Sequence, residues 1–319
     1  MNKTNFKKYI SYIKDKKKSN IEDYYIEKDY FISLFLSIWQ KLEDEGQVSN
    51  LNKLIFKGGT LLIRNFLNYP RISEDIDFTY EKCNNLRKIK SENKREKEIK
   101  KIVIQIIDDI KLICDTAKFD FESDRTNLRY IDVRNSRAVY ILNIYYNSLI
   151  TGEEIPIKIE LNFLEKIIHK PLESKINNIV DQDLFLKSIG YDLTNMRINT
   201  YPIDEIILEK YRAILTRAGL KERDVFDLFL INKGQKDVFK TDNNLIFEKI
   251  VSSFLISHVS KENLLKNCNL LSNSAFGVSA DDISPLTLIE IDIREYEKFK
   301  NRLYNKLKDI CKIKTESKI

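Results

Sequence analysis

Two aspartates that follow a pair of adjacent glycines are the feature that most constrains the fold of this chain. A Lys-Gly-Gly-Thr string occupies 57–60 and an Asp-Ile-Asp-Phe string occupies 75–78. Their surroundings predict a strand over 53–56, a helix over 60–67 and a second strand over 75–80. Only 8 of the 319 residues are glycine, so two neighbouring glycines at a single predicted turn are informative.

The chemistry of the two strings predicts a site for phosphate and metal. Side chains alternate along a strand, so Asp75 and Asp77 share one face, where their charges repel unless a cation lies between them. Carboxylate ligands suit Mg2+, with Mn2+ as the alternative. Gly58 and Gly59 lack Cβ atoms, so a phosphate can approach the backbone at the start of the following helix. The competing interpretation is a tight turn followed by a solvated acidic strand.

Together with Phe56 and the Arg-Ile-Ser-Glu string at 71–74, these residues resemble the signature of the AbiEii/AbiGii toxin family. The gap between the diglycine and the first aspartate is longer than is usual among nucleotidyltransferases. This longer gap is itself similar to the AbiEii/AbiGii family. A Glu-Lys-Asp-Tyr string at 27–30 is similar to an element that precedes the glycine turn in the family, although a solvated helix face explains it equally well. Members are nucleotidyltransferase-fold proteins of type IV toxin–antitoxin and abortive-infection systems, which act in phage defence.

The resemblance also implies a third metal ligand. Nucleotidyltransferases complete their metal triad with an acid on a strand beside the aspartate strand. Along 155–163, apolar residues alternate with Lys158, Glu160 and Asn162, so Glu160 is the expected third acid. A plain solvent-facing glutamate is the alternative.

A second cluster of charged residues lies in the C-terminal half. Lys210 and Arg217 fall on one face of a predicted helix, and a second helix places Arg223 four residues before Asp227. The pattern fits either fixed cations for a triphosphate or a helical hairpin held by ion pairs. The resemblance implies that Lys210 contacts phosphate and that Asp224 or Asp227 orients basic groups or assists as a base. It also implies that Arg217 and Arg223 form the wall of the site.

The residues and the resemblance together give a set of candidate site residues. The candidate catalytic residues are Asp75, Asp77, Glu160, Lys210, Asp224 and Asp227, and the metal ligands among them are Asp75, Asp77 and Glu160. The candidate substrate-binding residues are Lys57, Gly58, Gly59, Thr60, Arg71, Ser73, Arg217 and Arg223.

Charge and cysteine content narrow the class of protein. The net charge of +6 has little weight, because 48 acidic residues offset most of the 54 basic ones. Nine Lys or Arg lie between 82 and 101, at the start of a helix predicted over 86–116, and form either a solvated face or a surface for an RNA backbone. The four cysteines show no Cys-x-x-Cys spacing, which predicts thiols in a reducing compartment and neither a disulfide framework nor a zinc site. Two histidines are too few for a histidine-rich metal site.

Targeting signals are not evident, and a cytoplasmic protein with no membrane partner is expected. Lysines interrupt the N-terminal residues, and the longest apolar stretch, Phe31 to Trp39, is too short to span a bilayer. No Gly-x-x-x-x-Gly-Lys-[Ser/Thr] string is present, which excludes a P-loop kinase or ATPase.

The predicted elements give an α/β (α+β) fold class, a mixed sheet flanked by helices with a mainly helical C-terminal region, and the resemblance implies that this sheet is nucleotidyltransferase-like. A capping box is predicted at 19–22, before an amphipathic helix. Further strands are predicted over 119–123, 128–133, 138–146 and 155–163, with the exit from the sheet at 169–171. The C-terminal helices have expected breaks at 232–235 and 267–281. The predicted domains are an N-terminal helical segment (1–50), a nucleotidyltransferase core (51–165) and a helical C-terminal domain (166–319).

The resulting hypothesis is a Mg2+-dependent nucleotidyltransferase. The resemblance implies a toxin that transfers a nucleotide from an NTP to RNA, with a tRNA 3′ end as the expected acceptor, and a cognate antitoxin encoded nearby. Such a modification blocks translation and growth. Two alternatives stay open: a catalytically inert protein that binds RNA or a partner, and an enzyme that modifies a protein or small-molecule hydroxyl.

Overall fold

The structure, a computed structural model, describes residues 1–219, 221–273 and 287–316. They form two compact units. The first contains Met1–Leu164 and Pro171–Thr200, with a short segment at Thr287 and Leu288. The second contains Glu165–Lys170 and the other described residues from Tyr201 onwards.

A mixed sheet forms the centre of the first unit, as the sequence predicts. Seven strands belong to it in the described part of the chain: β1 Leu54–Lys57, β2 Asp75–Tyr80, β3 Ile131–Arg134, β4 Val139–Asn147, β5 Glu154–Asn162, β6 Leu172–Lys175 and β7 Arg197–Thr200. Their order across the sheet is β3-β4-β5-β2-β1-β7-β6. β2 and β5 pair in parallel, as do β1 and β7, and the other neighbouring pairs are antiparallel.

Helices surround this sheet: α1 Lys3–Lys17, α2 Asp23–Asp44, α3 Gly58–Leu61, α4 Cys83–Arg87, α5 Glu92–Ala117 and α6 Leu184–Ser188. α3 continues directly as a π-helical turn over Leu62–Phe66. α2 packs on the apolar face of the sheet, where Trp39 contacts Phe78 with ring centroids 5.3 Å apart. The alternation along β5 has the expected effect, because Ile157, Ile159 and Leu161 are buried and Lys158 and Glu160 are half-buried.

Two predictions about these helices are wrong. α2 begins only at Asp23, and no side chain caps it; the hydroxyl of Ser19 accepts a hydrogen bond from the backbone N–H of Ile21 instead. The predicted capping box therefore does not form. The charged helix predicted over 86–116 is split into α4 and α5, because Ser91 starts a new helix by accepting a hydrogen bond from the N–H of Lys94.

The sheet also extends further along the chain than predicted. Beyond the expected exit at 169–171, β6 and β7 return to it, and Thr200 of β7 lies opposite Phe56 of β1. These four-residue strands are too short and too polar to show a clear alternation in the sequence. Conversely, the strand expected over 119–123 is reduced to a bridge between Asp120 and Tyr145.

The second unit is helical, as predicted for the C-terminal region. Its helices are α7 Ile203–Thr216, α8 Glu222–Gly234, α9 Asn243–Ser252, α10 Val259–Asn273 and α11 Ile293–Glu316. The break expected at 232–235 coincides with the end of α8, whereas residues 267–273 of the second expected break are helical and 274–281 lie outside the described residues. No helix in the described ranges is long and apolar enough to cross a membrane.

One expectation about the cysteines is also wrong. Cys268 of α10 and Cys311 of α11 form a disulfide, with Cα atoms 5.7 Å apart. The two residues are 43 positions apart in the sequence, and only the packing of α11 on α10 brings them together. Cys83 and Cys114 are buried free thiols, as expected.

Candidate active site

The acidic strand lies between the two strands on which its chemistry depends. β2 pairs with β1 on one side and with β5 on the other. In this register Asp77 lies opposite both Lys57 and Glu160, and Asp75 lies opposite Lys158. Directly paired residues share one face of a sheet. The strand that carries Glu160 therefore lies beside the aspartate strand, and three carboxylates and two lysines lie together on this face.

The electrostatics of this face favour a bound cation. The pKa of Asp77 is raised to about 6. Burial is the largest cause, the charges of Glu160 and Asp75 also raise the pKa, and Lys57 and Lys158 lower it in part. The Nζ atom of Lys158 is 3.9 Å from Glu160 Oε2. Three acids against two lysines leave an excess of negative charge, which an additional positive ion would relieve.

The glycine turn contacts the acidic strand. Gly58 has a φ of +77°, a left-handed conformation in which a side chain is strained. A Cβ atom built at Gly58 would lie only 2.8 Å from Asp77 Cγ. The absence of a side chain at Gly58 therefore allows the turn to approach the Asp77 carboxylate.

The second glycine is adjacent to two more predicted site residues. A Cβ atom at Gly59 would lie 2.9 Å from Arg71 Nη2 and 3.2 Å from Ser73 Oγ. Both side chains are buried, and Arg71 Nη1 donates a hydrogen bond to the carbonyl of Ile72 at 2.7 Å. The buried guanidinium thus places a fixed positive charge beside the turn.

Thr60 has a structural contact at this site. Its hydroxyl donates a short hydrogen bond to the backbone carbonyl of Asp75, and its side chain is fully buried. This bond ties the first turn of α3 to the start of β2. The structure thus brings together every candidate residue predicted before 165: Lys57, Gly58, Gly59, Thr60, Arg71, Ser73, Asp75, Asp77 and Glu160.

The donor set fits a hard divalent cation chemically. Asp75, Asp77 and Glu160 offer oxygen ligands on one face of β2 and β5. The negative charges of Glu160 and Asp75 destabilise the ionised form of Asp77. In the arrangement seen here, the described residues contain no group of three or more His, Cys, Asp or Glu side chains gathered closely enough to hold a metal ion. The residue types therefore fit the ion, while the carboxylates are not gathered around a common point.

The second cluster of predicted residues lies in the second unit, on the α7–α8 hairpin. Lys210 Nζ is 2.8 Å from Asp224 Oδ1 and 2.6 Å from Asp227 Oδ2, and Arg217 Nη1 is 2.5 Å from Asp224 Oδ2. Burial alone would raise the pKa of Asp224, but Lys210, Arg217 and Arg223 lower it well below its usual value. The hairpin held by ion pairs, one of the two interpretations of this pattern, is thus present.

Three neighbouring residues of α2 were not recognised as structurally important from the sequence. Glu27, Lys28 and Asp29 are all buried, so the solvated helix face considered for this string is wrong. The only signal in the sequence was their similarity to the element that precedes the glycine turn in the family. Charge alone is uninformative here, because most charged runs on helices are solvated.

Comparison with known proteins decides the family. The model of the nucleotidyl transferase AbiEii toxin family, of type IV toxin–antitoxin systems, matches residues 42–313. The chain belongs to the AbiEii family. AbiEii membership supports a nucleotidyltransferase toxin with a nucleotide substrate, and it implies an antitoxin as a partner. It also supports the nucleotidyltransferase-like fold predicted from the glycine and aspartate strings.

Comparisons with other proteins add little to the AbiEii assignment. No curated protein sequence matches the chain. The crystal structure of JHP933 from Helicobacter pylori is 14% identical, with a TM-score of 0.45 over 93% of this chain and 97% of that one. A crystal structure of a candidate nucleotidyltransferase from H. pylori is 16% identical, with a TM-score of 0.37 over 86% of this chain and 97% of that one. Both scores are below 0.5, so neither likeness supports a conclusion about this AbiEii protein.

Proposed function

We propose that this protein transfers a nucleotide from an NTP to an RNA acceptor, a tRNA 3′ end, in a Mg2+-dependent reaction that blocks translation and growth. The observation that carries the proposal is the placement of Asp75, Asp77 and Glu160 on one face of neighbouring strands, beside the Gly58-Gly59 turn. Membership of the AbiEii family supports the nucleotide substrate and the transfer reaction.

The proposed roles follow from position. Asp75, Asp77 and Glu160 would hold the metal, which supplies charge stabilisation to the phosphoryl oxygens when bound. The Gly58-Gly59 turn would bind the triphosphate through its backbone, and the absence of side chains makes room for Asp77 beside Gly58 and for Arg71 and Ser73 beside Gly59. Lys57 and Arg71 provide fixed positive charge beside the turn, and Ser73 provides a hydroxyl.

The reaction requires a base as well as an electrophile. The oxygen of the acceptor hydroxyl forms a bond to the α-phosphorus while the bond between that phosphorus and the α–β bridging oxygen breaks. The electron pair of the broken bond leaves with pyrophosphate. The hydroxyl proton passes to a carboxylate, and we assign this role to Glu160, which lies on β5 directly opposite Asp77.

The phosphate-binding role of Lys210 is also part of the proposal. In the structure Asp224 and Asp227 already neutralise its ammonium group, so a triphosphate would compete with two buried carboxylates for it. Arg217 and Arg223 are the more accessible cations of this cluster and would form the wall of the substrate site.

A surface for the RNA backbone is available in the first unit. Lys88, Lys90, Lys94, Lys97 and Lys100, in and around α4 and α5, are all exposed. Exposed lysines of this kind neutralise phosphates without reading the base sequence. We propose that they position the acceptor through its backbone and shape.

The decisive experiment supplies each labelled NTP, Mg2+ and total tRNA to the purified protein. Labelled RNA is expected with the intact protein and not with the Asp75→Ala/Asp77→Ala double variant. A Glu153→Ala/Glu154→Ala variant is the matched control, because it removes two exposed acids near the outer end of β5 and should label RNA normally. Treated tRNA should fail to support translation in a cell-free extract.

Other outcomes identify the competing functions. Label on a protein or small molecule, with none on RNA, would assign a different acceptor to the same site. RNA binding and growth arrest that persist in the double variant, without label on any acceptor, would discard the enzymatic proposal in favour of an inert binding protein.

A further inference from the structure

Three consecutive charged residues of α2 are buried in the first unit. Glu27, Lys28 and Asp29 are 1%, 8% and 1% exposed, respectively. Burying a charge is costly unless it is paired or hydrogen-bonded. Each of these residues meets that requirement with a different segment of the chain, and each segment leads into or follows an element that carries candidate site residues.

Lys28 holds the segment that leads into the acidic strand. Its Nζ atom is 3.2 Å from Glu74 Oε1, and Glu74 directly precedes Asp75. The same ammonium group donates to the hydroxyl of Tyr24 at 3.4 Å, one turn earlier on α2. The start of β2 is thereby fixed to α2 by an ion pair.

Asp29 holds the helix that follows the glycine turn. Its Oδ1 accepts a hydrogen bond from Arg64 Nη2 at 2.7 Å, and both side chains are almost completely buried. Arg64 lies in the π-helical turn that continues from Gly58, and its Nη1 also donates to Ser33 Oγ on α2 at 3.0 Å. A second charge pair thus connects α2 to the diglycine segment.

Glu27 holds the turn before the strand that carries Glu160. The hydroxyl of Ser148 donates to Glu27 Oε2 at 2.8 Å, and the backbone N–H of Leu149 donates to Oε1 at 2.6 Å. These residues connect β4 to β5. All three segments that carry the candidate site are therefore attached to one stretch of a single helix.

We propose that Glu27, Lys28 and Asp29 are positioning residues that fix the glycine turn, β2 and β5 relative to one another for the reaction. They lie before residue 42, where the family match begins, so the match assigns them no role. Apolar residues of similar size stabilise a fold as well as buried ion pairs do, but ion pairs and charged hydrogen bonds fix direction and distance more narrowly. The functional part of this inference rests on the proposed nucleotidyl transfer.

Hydrogen exchange tests the positioning without requiring activity. Lys28→Met should speed exchange of the amides at 74–77 by about fivefold or more, because a partly buried ion pair is lost, and leave 58–66 unchanged. The Asp29→Leu/Arg64→Met double variant removes both buried charges without leaving either unpaired, and it should speed exchange at 58–66 alone. Lys41→Met is the control, since it removes an exposed lysine from the same helix.

A variant in which the two charges of the Lys28–Glu74 pair are swapped separates a positioning role from an effect on general stability. The Lys28→Glu/Glu74→Lys variant should restore slow exchange at 74–77, and Lys28→Arg should keep it. In the transfer assay, Lys28→Met should lower kcat about tenfold or more, as loss of an outer support for ligating residues does, with KM for the NTP nearly unchanged.

The hydrogen-exchange measurement and the transfer assay together distinguish failure of this inference from failure of the proposed function. A wild-type protein that labels no acceptor refutes the proposed function, and the exchange data then decide on positioning alone. Amide exchange that becomes faster to the same extent in β3 and β4, or that does not change at 58–66 and 74–77, overturns the positioning role. An unchanged kcat in Lys28→Met, with an active wild type, overturns its role in the reaction.

Discussion

Asp77 lies directly opposite Glu160 in two neighbouring parallel strands, β2 and β5. The two carboxylates come from distant parts of the sequence and share a face with Asp75. Their mutual repulsion contributes to the raised pKa of Asp77, after the larger effect of burial. Like charges held together lower the stability of the fold, and a bound cation would offset that cost, in keeping with the chemistry of the three carboxylates.

Metal should therefore stabilise the protein. Because an ion that binds only the folded state at about 100 times its Kd adds about 2.7 kcal/mol, Mg2+ or Mn2+ should raise the Tm of the wild type. The Asp75→Asn/Asp77→Asn variant should lose this increase, and without metal it should be at least as stable as the wild type. Thermal unfolding with and without each ion measures both effects.

A matched variant shows whether the effect is specific. Glu153→Gln/Glu154→Gln removes the same amount of charge from exposed positions and should keep the metal-induced increase in Tm. An equal increase in the Asp75→Asn/Asp77→Asn variant would mean that the ion binds elsewhere.

Because Gly58 lies so close to Asp77, adding one methyl group at Gly58 should lower the free energy of unfolding by an unusually large amount. Gly58→Ala should lower the free energy of unfolding by about 3 kcal/mol, combining about 1–2 kcal/mol for the left-handed backbone with overpacking against the strand. Gly46→Ala is the control, because Gly46 has a φ of +69° with no atoms within 4 Å of a built Cβ. Urea unfolding should show only the backbone cost of about 1–2 kcal/mol there. Equal costs at both positions would contradict the contact.

Sequence patterns predicted the candidate site better than the edges of the fold. The diglycine and the alternating acids carry chemistry at fixed spacing, so β1, α3, β2 and β5 were predictable. The strands β6 and β7 were not, because each has only four residues, which is too short to show a clear period in the sequence. The burial of Glu27, Lys28 and Asp29 could not be predicted either, since it depends on which distant segments pack against α2.

The buried ion pairs of the α7–α8 hairpin predict a strong effect of removing one charge. Asp224→Asn should lower the free energy of unfolding at pH 7 by about 3 kcal/mol, because it breaks a buried pair with Lys210 and a partly exposed pair with Arg217. Asp204→Asn, which breaks a more exposed pair between α7 and Lys236, should cost less than about 1 kcal/mol. Chemical denaturation of both variants beside the wild type measures the difference.

The pH dependence of that difference follows from the direction of the pKa shift. The pKa of Asp224 is lowered in the folded protein from its ordinary value of 3.8, so ionisation of Asp224 contributes its full stability above that value. The contribution is lost as pH falls from there through the folded-state pKa. The gap between wild type and Asp224→Asn should therefore be constant between pH 5 and 7 and should shrink below about pH 4. A gap that persists unchanged to pH 2 would contradict the ion pairs.

The disulfide between α10 and α11 predicts that the stability of the second unit depends on redox conditions. A cross-link between residues 43 positions apart restricts the unfolded chain, and Cys311→Ser should lower the free energy of unfolding by about 2–4 kcal/mol. A reductant should lower the stability of the wild type by a similar amount and leave Cys311→Ser unaffected. Cys83→Ser, at a buried free thiol, should respond to reductant as the wild type does. Denaturation of the wild type that is identical with and without reductant would show that Cys268 and Cys311 are not bonded in solution.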